Sequence, residues 1–225
     1  AVAAVYAFLV LRCSVALCRA SKHVPGGSIP PSDIIVAAKN EQHNIAKLAD
    51  SIMSQDHPDC RLILVDDHSD DATPAFARER LAAPHLIVES QGRGKKEALK
   101  SGISHSKAQY ILLTDADCFP QPQWARLMTS AAFDTGADMV MAPIIIEPKD
   151  RSSLFQRLQM AESFALITIT AGTCLNGMPV MCNGGNIAYR ADFLKSNTAG
   201  MNKGYASGDD MFMMETATRP GRRFA

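Results

Sequence analysis

The sequence predicts an α/β fold, a single mostly parallel sheet flanked by helices and preceded by an apolar N-terminal helix. Two observations point there. Short aliphatic runs recur along the chain, apolar on both faces as strands covered by helices must be. Polar loops and stretches of helical period separate these runs, which is the order of crossover connections. The strand candidates are IIVAA at 34–38, RLILVD at 61–66, HLIVE at 85–89, YILLTD at 110–115 and DMVMAP at 138–143.

The intervening helices follow from spacing and caps. Ile45, Leu48, Ala49, Ile52 and Met53 fall on one helical stripe, and Pro58 closes that connection. Asp70 or Asp71 is placed to cap a helix with Pro74 in its first turn. Trp124, Leu127, Met128 and Ala131 mark another helix after Pro122. A long helix is expected over roughly 151–171, with Leu154, Phe155, Leu158, Ala161 and Ala165 on one side. A Gly-rich loop and a second acidic helix follow it.

The stretch AVAAVYAFLVLRCSVALC at 1–18 is apolar except for Arg12 and Ser14. The expectation is a transmembrane or membrane-anchor segment over 1–20, a linker over 21–32 containing VPGGSIPPS, and one folded domain over 33–225. A signal-peptide core and a buried amphipathic helix are the competing readings of the apolar stretch. Arg19 and Lys22 lie on the globular side, which the positive-inside rule places in the cytoplasm.

Composition sets further bounds. Hydrophobic residues make up 47% and charged residues 20%, enough for one sizeable core. Lys plus Arg equals Asp plus Glu at 23 each, so no net field gathers nucleic acid. Cys13, Cys18, Cys60, Cys118, Cys174 and Cys182 show no zinc spacing and read as reduced, mostly buried cytosolic thiols.

In open α/β sheets ligands bind beyond the carboxyl ends of the strands. Here those ends are acidic: Asp66-Asp67-His68-Ser69-Asp70-Asp71 after the second strand and Thr114-Asp115-Ala116-Asp117 after the fourth. Two carboxylate clusters on neighbouring strand ends repel unless a cation or donor-rich ligand lies between them. Asp-x-Asp offers hard oxygens to Mg²⁺ or Mn²⁺ and leaves coordination positions for diphosphate. The competing reading is that these aspartates cap the next helices. A receiver-like phosphoacceptor pocket fails on order, because a whole strand and Asn40-Glu41 precede the pair. Lys95 and Lys96 follow Gly92-Arg93-Gly94 at a helix start, within reach of phosphate or base. Asp209 and Asp210 open a late helix, either as caps or as a base for an acceptor hydroxyl.

Taken in order, AAKNE, VDDHSDD, GRGKKEAL, TDADC, CNGGNIAYR and SGDDMF resemble the inverting family 2 glycosyltransferases of the GT-A fold, with its single Rossmann-like sheet. The resemblance runs from about Asp33 to Glu215. It implies a nucleotide-diphosphate sugar donor, a saccharide or lipid-linked acceptor, and Mg²⁺ or Mn²⁺. It implies Asn40, Glu41, Asp67, Lys95 and Asp115 as nucleotide-sugar contacts, and Asp117 as the metal ligand. Gly184, Gly185 and Asn186 would shape the donor and acceptor loop, and Asp210 would be the base. Asp209 stands where the family usually has Glu, which leaves both aspartates as candidates. The alternatives are a non-catalytic nucleotide-sugar-binding relative and a nucleotidyltransferase. The latter needs a Gly-rich loop where this chain has Lys39-Asn40-Glu41.

Overall fold

The computed structural model describes residues 2–19, 23–27, 29–148, 150, 152–198 and 209–225. The chain forms two compact units, one of Ala1–Lys22 with Ala142–Asn183 and one of His23–Met141 with Gly184–Ala225.

The second unit carries the sheet. Its strands are β1 (Ser32–Ala38), β2 (Cys60–Asp66), β3 (Leu86–Glu89), β4 (Tyr110–Thr114), β5 (Met139–Met141) and β6 (Asn186–Arg190), in the spatial order β3-β2-β1-β4-β6-β5. β1 to β4 run parallel, and β6 is antiparallel to both β4 and β5. Helices α2 (Ile45–Met53), α3 (Thr73–Arg80), α4 (Lys95–His105) and α5 (Trp124–Thr135) supply the crossovers, and α7 (Ala191–Asn197) and α8 (Asp209–Ala217) follow β6. Ile34, Ile35, Leu62, Ile63, Ile111 and Leu112 are fully buried, so the core lies on the central strands. α4 comes so close to the sheet that a Cβ on Gly102 would run into the Ile35 and Val65 side chains.

Two sequence expectations change here. NIAYR, read as part of a loop, is strand β6. The acidic ends of β2 and β4 are not neighbours, because β1 lies between them.

Asp33 is charged yet only 2% exposed. Its two oxygens take a forked pair of hydrogen bonds from Arg61, at 2.8 and 2.9 Å, and Oδ2 also accepts from the Lys107 N–H. Burial raises its carboxyl, but the Arg61 and Lys107 donors outweigh that and hold it below the usual carboxylate range. A carboxyl lowered by folding stabilises fully above its unfolded pKa, about 3.9, and that contribution is lost as pH falls through the folded value. Asp33→Asn is therefore expected to cost about 3 kcal/mol at pH 7 in urea unfolding, with the gap to wild type closing only in acid.

The first unit pairs α1 (Val2–Arg19) with α6 (Leu154–Leu175). It overturns the expected N-terminal membrane helix and, with it, anchoring of the chain through that segment. Among the described residues, the one helix long and apolar enough to cross a membrane is mid-chain α6, and only 6% of its apolar window is buried. α1 carries a cationic side chain, Arg12, within its apolar run. Its Arg12 is engaged laterally, donating to Asn176 Oδ1 at 2.9 Å. The two sides of α6 differ in burial. Leu154, Phe155, Leu158, Ala161 and Ala165 are exposed, while Gln156, Met160, Ser163, Ile167 and Thr170 form the half-buried stripe.

Candidate active site

Every residue singled out for chemistry lies in the second unit. The loops after β1 and β2 are tied together by their own side chains. Asn40, at φ 56°, donates its N–H to Ser69 Oγ at 3.0 Å, and its Oδ1 accepts from the Asp70 N–H at 2.9 Å. The Glu41 N–H donates to Thr73 Oγ1 at 2.8 Å, and the Gln42 N–H to Asp71 Oδ2 at 3.1 Å. The Glu41 carboxylate accepts from Asn44 Nδ2 at 2.7 Å, which turns it toward the start of α2.

Asp67 sits at the floor of this edge, 4% exposed. Both its oxygens accept from the Gly94 N–H, at 2.9 and 3.0 Å, and Lys39 Nζ lies 4.0 Å away. Gly94 has φ 94°, a conformation open to glycine, and it immediately precedes α4. The next residue, Lys95, donates to Asp115 Oδ1 at 2.6 Å. Successive residues 94 and 95 thus join the carboxylates at the ends of β2 and β4 across β1, and they offset the repulsion that the sequence implies.

Asp115, Asp117 and Cys118 bring one donor atom each within 4.8 Å of one another. Asp115 is half-buried and Asp117 exposed. Neither caps the next helix, since Gln123 is the N-cap of α5. Burial, and then the neighbouring carboxylates of Asp117 and Asp115, push the Cys118 thiol up. Asp67 likewise caps nothing, as α3 begins after Ala72, although Asp71 Oδ1 accepts from the Thr73 N–H at 2.9 Å.

β6 enters the same edge from the opposite direction. Asn186 lies opposite Thr114, the residue before Asp115. The turn at Gly184 and Gly185 leads into it, and a Cβ on Gly184 would lie 3.4 Å from Asp210 Oδ2. Asp210 is half-buried in the first turn of α8, where its Oδ1 accepts from the Met211 N–H at 2.9 Å. Asp209 begins the same helix; its side chain, like Gly208, is outside the described residues. A set of local contacts therefore runs from Asp67 through Gly94 and Lys95 to Asp115 and Asp117, and on through Thr114 and the Asn186 turn to Asp210.

Sequence reasoning missed several participants. Cys118 had a signal, its adjacency to Asp117. Thr73, Ser69 and Gln42 had none, because their partners lie about thirty residues away. Of the cysteines, Cys182 alone is buried, Cys18 is exposed and the other four are half-buried, so the expected burial was too high. A cavity of about 570 Å³ lined by Phe8, Leu11, Arg12, Val15 and Leu175 belongs to the first unit and holds none of these groups.

Comparison with known proteins adds the following. The family described as Glycosyl transferase family 2 matches residues 33–197. Glycosyltransferase AglE of Haloferax volcanii is 28% identical over 149 residues, covering 61% of this chain and 49% of the relative. The succinoglycan biosynthesis protein ExoO of Rhizobium meliloti is 25% identical over 206 residues, covering 88% and 58%. The chain thus spans about half the length of these curated relatives. Among solved structures, the mannosyltransferase PcManGT of Pyrobaculum calidifontis, in complex with GDP-Man and Mn²⁺, superposes with a TM-score of 0.74. Its identity is 20%, and the match covers 96% of this chain and 60% of that one. That likeness establishes the fold, an α/β GT-A-like architecture with a mixed, mostly parallel sheet.

Proposed function

Because the chain belongs to glycosyl transferase family 2 and is a glycosyltransferase-type enzyme, we propose that it moves a sugar from a nucleotide-diphosphate donor to an acceptor hydroxyl in one inverting displacement. The observation that carries this reading is the run of backbone and side-chain contacts that leads from Asp67 through Gly94, Lys95 and Asp115 to the Gly184–Asn186 turn beside Asp210. In this reading Asp67 and Glu41 receive the nucleoside, Asn40 shapes the loop beneath it, and Lys95 and Asp115 face the ribose and diphosphate. Gly184, Gly185 and Asn186 border the sugar, and Asp210 takes the acceptor's proton with Asp209 beside it in sequence.

The residues present suit a divalent ion. Two carboxylates and a thiol bring donor atoms within 4.8 Å, and the carboxylates match the hard-oxygen preference of Mg²⁺ or Mn²⁺. Asp117, the exposed member, would hold the ion, with Asp115 close by. When bound, the ion offsets negative charge on the departing diphosphate. Lys95 adds a fixed positive charge to the same place, and buried Asp67 is held for recognition by a backbone donor rather than by solvent. The relative solved with GDP-Man and Mn²⁺ supports this metal assignment by analogy.

The catalytic domain is proposed to extend over 33–225, after a linker at 21–32. Among the described residues α6 is the one helix long and apolar enough to cross a membrane, and it supports membrane association. Six free thiols support placing the catalytic domain on the cytoplasmic side.

Thermal unfolding of the chain against a panel of UDP- and GDP-sugars with Mg²⁺ or Mn²⁺ tests the proposal. One nucleotide at a hundred times its Kd is expected to raise Tm by roughly 5–10 °C, and only with the metal. A flat response to every donor and metal would remove the reading. A shift without transfer to any acceptor would favour the non-catalytic binding relative.

A further inference from the structure

His68, the second residue after β2, holds φ 55°. That left-handed backbone suits glycine and costs conformational energy in any residue with a Cβ. Residues held this way persist where their surroundings fix them, and they gather at functional sites. Here the side chain supplies the fixing. Nε2 lies 3.2 Å from the Gly92 carbonyl oxygen, and Nδ1 lies 3.5 Å from a Glu89 carboxylate oxygen. Both neighbours are acceptors. A neutral imidazole has one N–H and can donate to one of them, whereas the imidazolium has two and can donate to both. The two contacts are therefore made together only by the charged form.

What His68 grips is the loop that reaches the proposed nucleotide edge. The Ser90 N–H donates to the Asp66 carbonyl at 2.9 Å, and Ser90 Oγ donates to the same Gly92 carbonyl at 2.7 Å. Two residues beyond Gly92, the Gly94 N–H donates to both oxygens of Asp67, and Lys95 donates to Asp115. The elements that meet here carry Lys39 after β1, Asp66 and Asp67 at the end of β2, Glu89 on β3, Arg93 in the loop and Lys95 at the start of α4. Of these charged groups, Glu89 is the partner of His68. Carboxylates, lysines and arginines ordinarily keep their charge between about pH 6 and pH 8, and imidazole ordinarily changes its charge there.

We infer that His68 is a positioning residue for donor binding: in its charged form it fixes the Gly92–Lys95 loop, so that the Gly94 N–H stays on Asp67 and the Lys95 amine on Asp115, and the donor binds more tightly in mild acid than in mild alkali. This rests on the proposed nucleotide edge and goes beyond it, since His68 acts through the loop and not on the donor. The strained backbone is maintained for the sake of this grip rather than for the stability of the fold.

The test measures donor affinity and stability separately in the wild-type chain, His68→Gly and His68→Asn, with the nucleotide sugar and metal found in the thermal screen. His68→Gly removes the side chain and relieves the backbone. Without donor its Tm is expected to hold or to rise by up to about 3 °C. Its donor Kd, by calorimetry near pH 6, should nevertheless rise about tenfold. A residue with a structural role alone would lose stability and affinity together. His68→Asn tolerates the left-handed backbone but carries no charge, and it should show the same loss of affinity. Between about pH 6 and about pH 8 the wild-type Kd should rise roughly fivefold, while the Kd of each variant stays within about twofold. Wild-type affinity in His68→Gly, a fall in Tm of more than about 5 °C accompanying the loss of affinity in both variants, or one pH dependence shared by all three proteins would each overturn the positioning role and leave donor binding in place. A wild-type chain that binds no donor at any pH would overturn this inference and the proposed function together.

Discussion

Asp117→Asn is expected to abolish metal-dependent transfer while the protein stays folded. Asp117 is the exposed member of the group whose donor atoms lie within 4.8 Å, so its removal disturbs no core. An amide is a far weaker ligand for a hard divalent ion than a carboxylate, and the ion's effect on a departing diphosphate amounts to several kcal/mol. That corresponds to a loss of ~10³-fold or more in kcat/KM, against a change in unfolding free energy within about 0.5 kcal/mol. Initial rates over a Mn²⁺ titration, with thermal melts alongside, check both halves. Unchanged activity together with an unchanged metal-dependent melt would remove Asp117 from the metal site.

Asp210→Asn is expected to separate binding from turnover. The variant keeps the shape of the side chain and an oxygen for the Met211 N–H, and it preserves the close approach to Gly184. What it loses is the ability to take a proton. Donor affinity measured by calorimetry should stay within about twofold, while kcat falls by ~10³-fold, in the range seen when a positioned general base is removed. The anomeric configuration of the wild-type product, read by proton NMR, should be opposite to that of the donor. Full turnover in Asp210→Asn would transfer the role to Asp209, which stands beside it in sequence.

How much of this was legible in the sequence depended on whether a feature was local. The five parallel-run strands were readable because buried strands are continuous apolar runs, and β2 and β4 appear within a residue of where IIVAA-type patterning placed them. Strand β6 was not, because Gly184 and Gly185 before it look like a loop and its partner is Tyr110–Thr114, far back in the chain. The order of strands is absent from local pattern too, so nothing in LVDD or LLTDAD announced that β1 separates them. The acidic residues at the strand ends could be listed from sequence, but Lys95 as the bridge to Asp115 needed coordinates. The membrane-length helix was misplaced for a compositional reason. The N-terminal stretch is conspicuously apolar although broken by Arg12, whereas Arg157 and Glu162 disguise α6.

The mutual hydrogen bonding of the loops after β1 and β2 has a bearing on redesign. Each loop supplies the caps for the other's backbone, Ser69 and Thr73 for one, Asn40 for the other. Neither is a self-sufficient module. If these loops receive the nucleoside as proposed, changing the nucleotide preference would require residues 39–44 and 66–73 to be exchanged as a single cassette, because a half-transplant strands amide groups that only the native counterpart can satisfy.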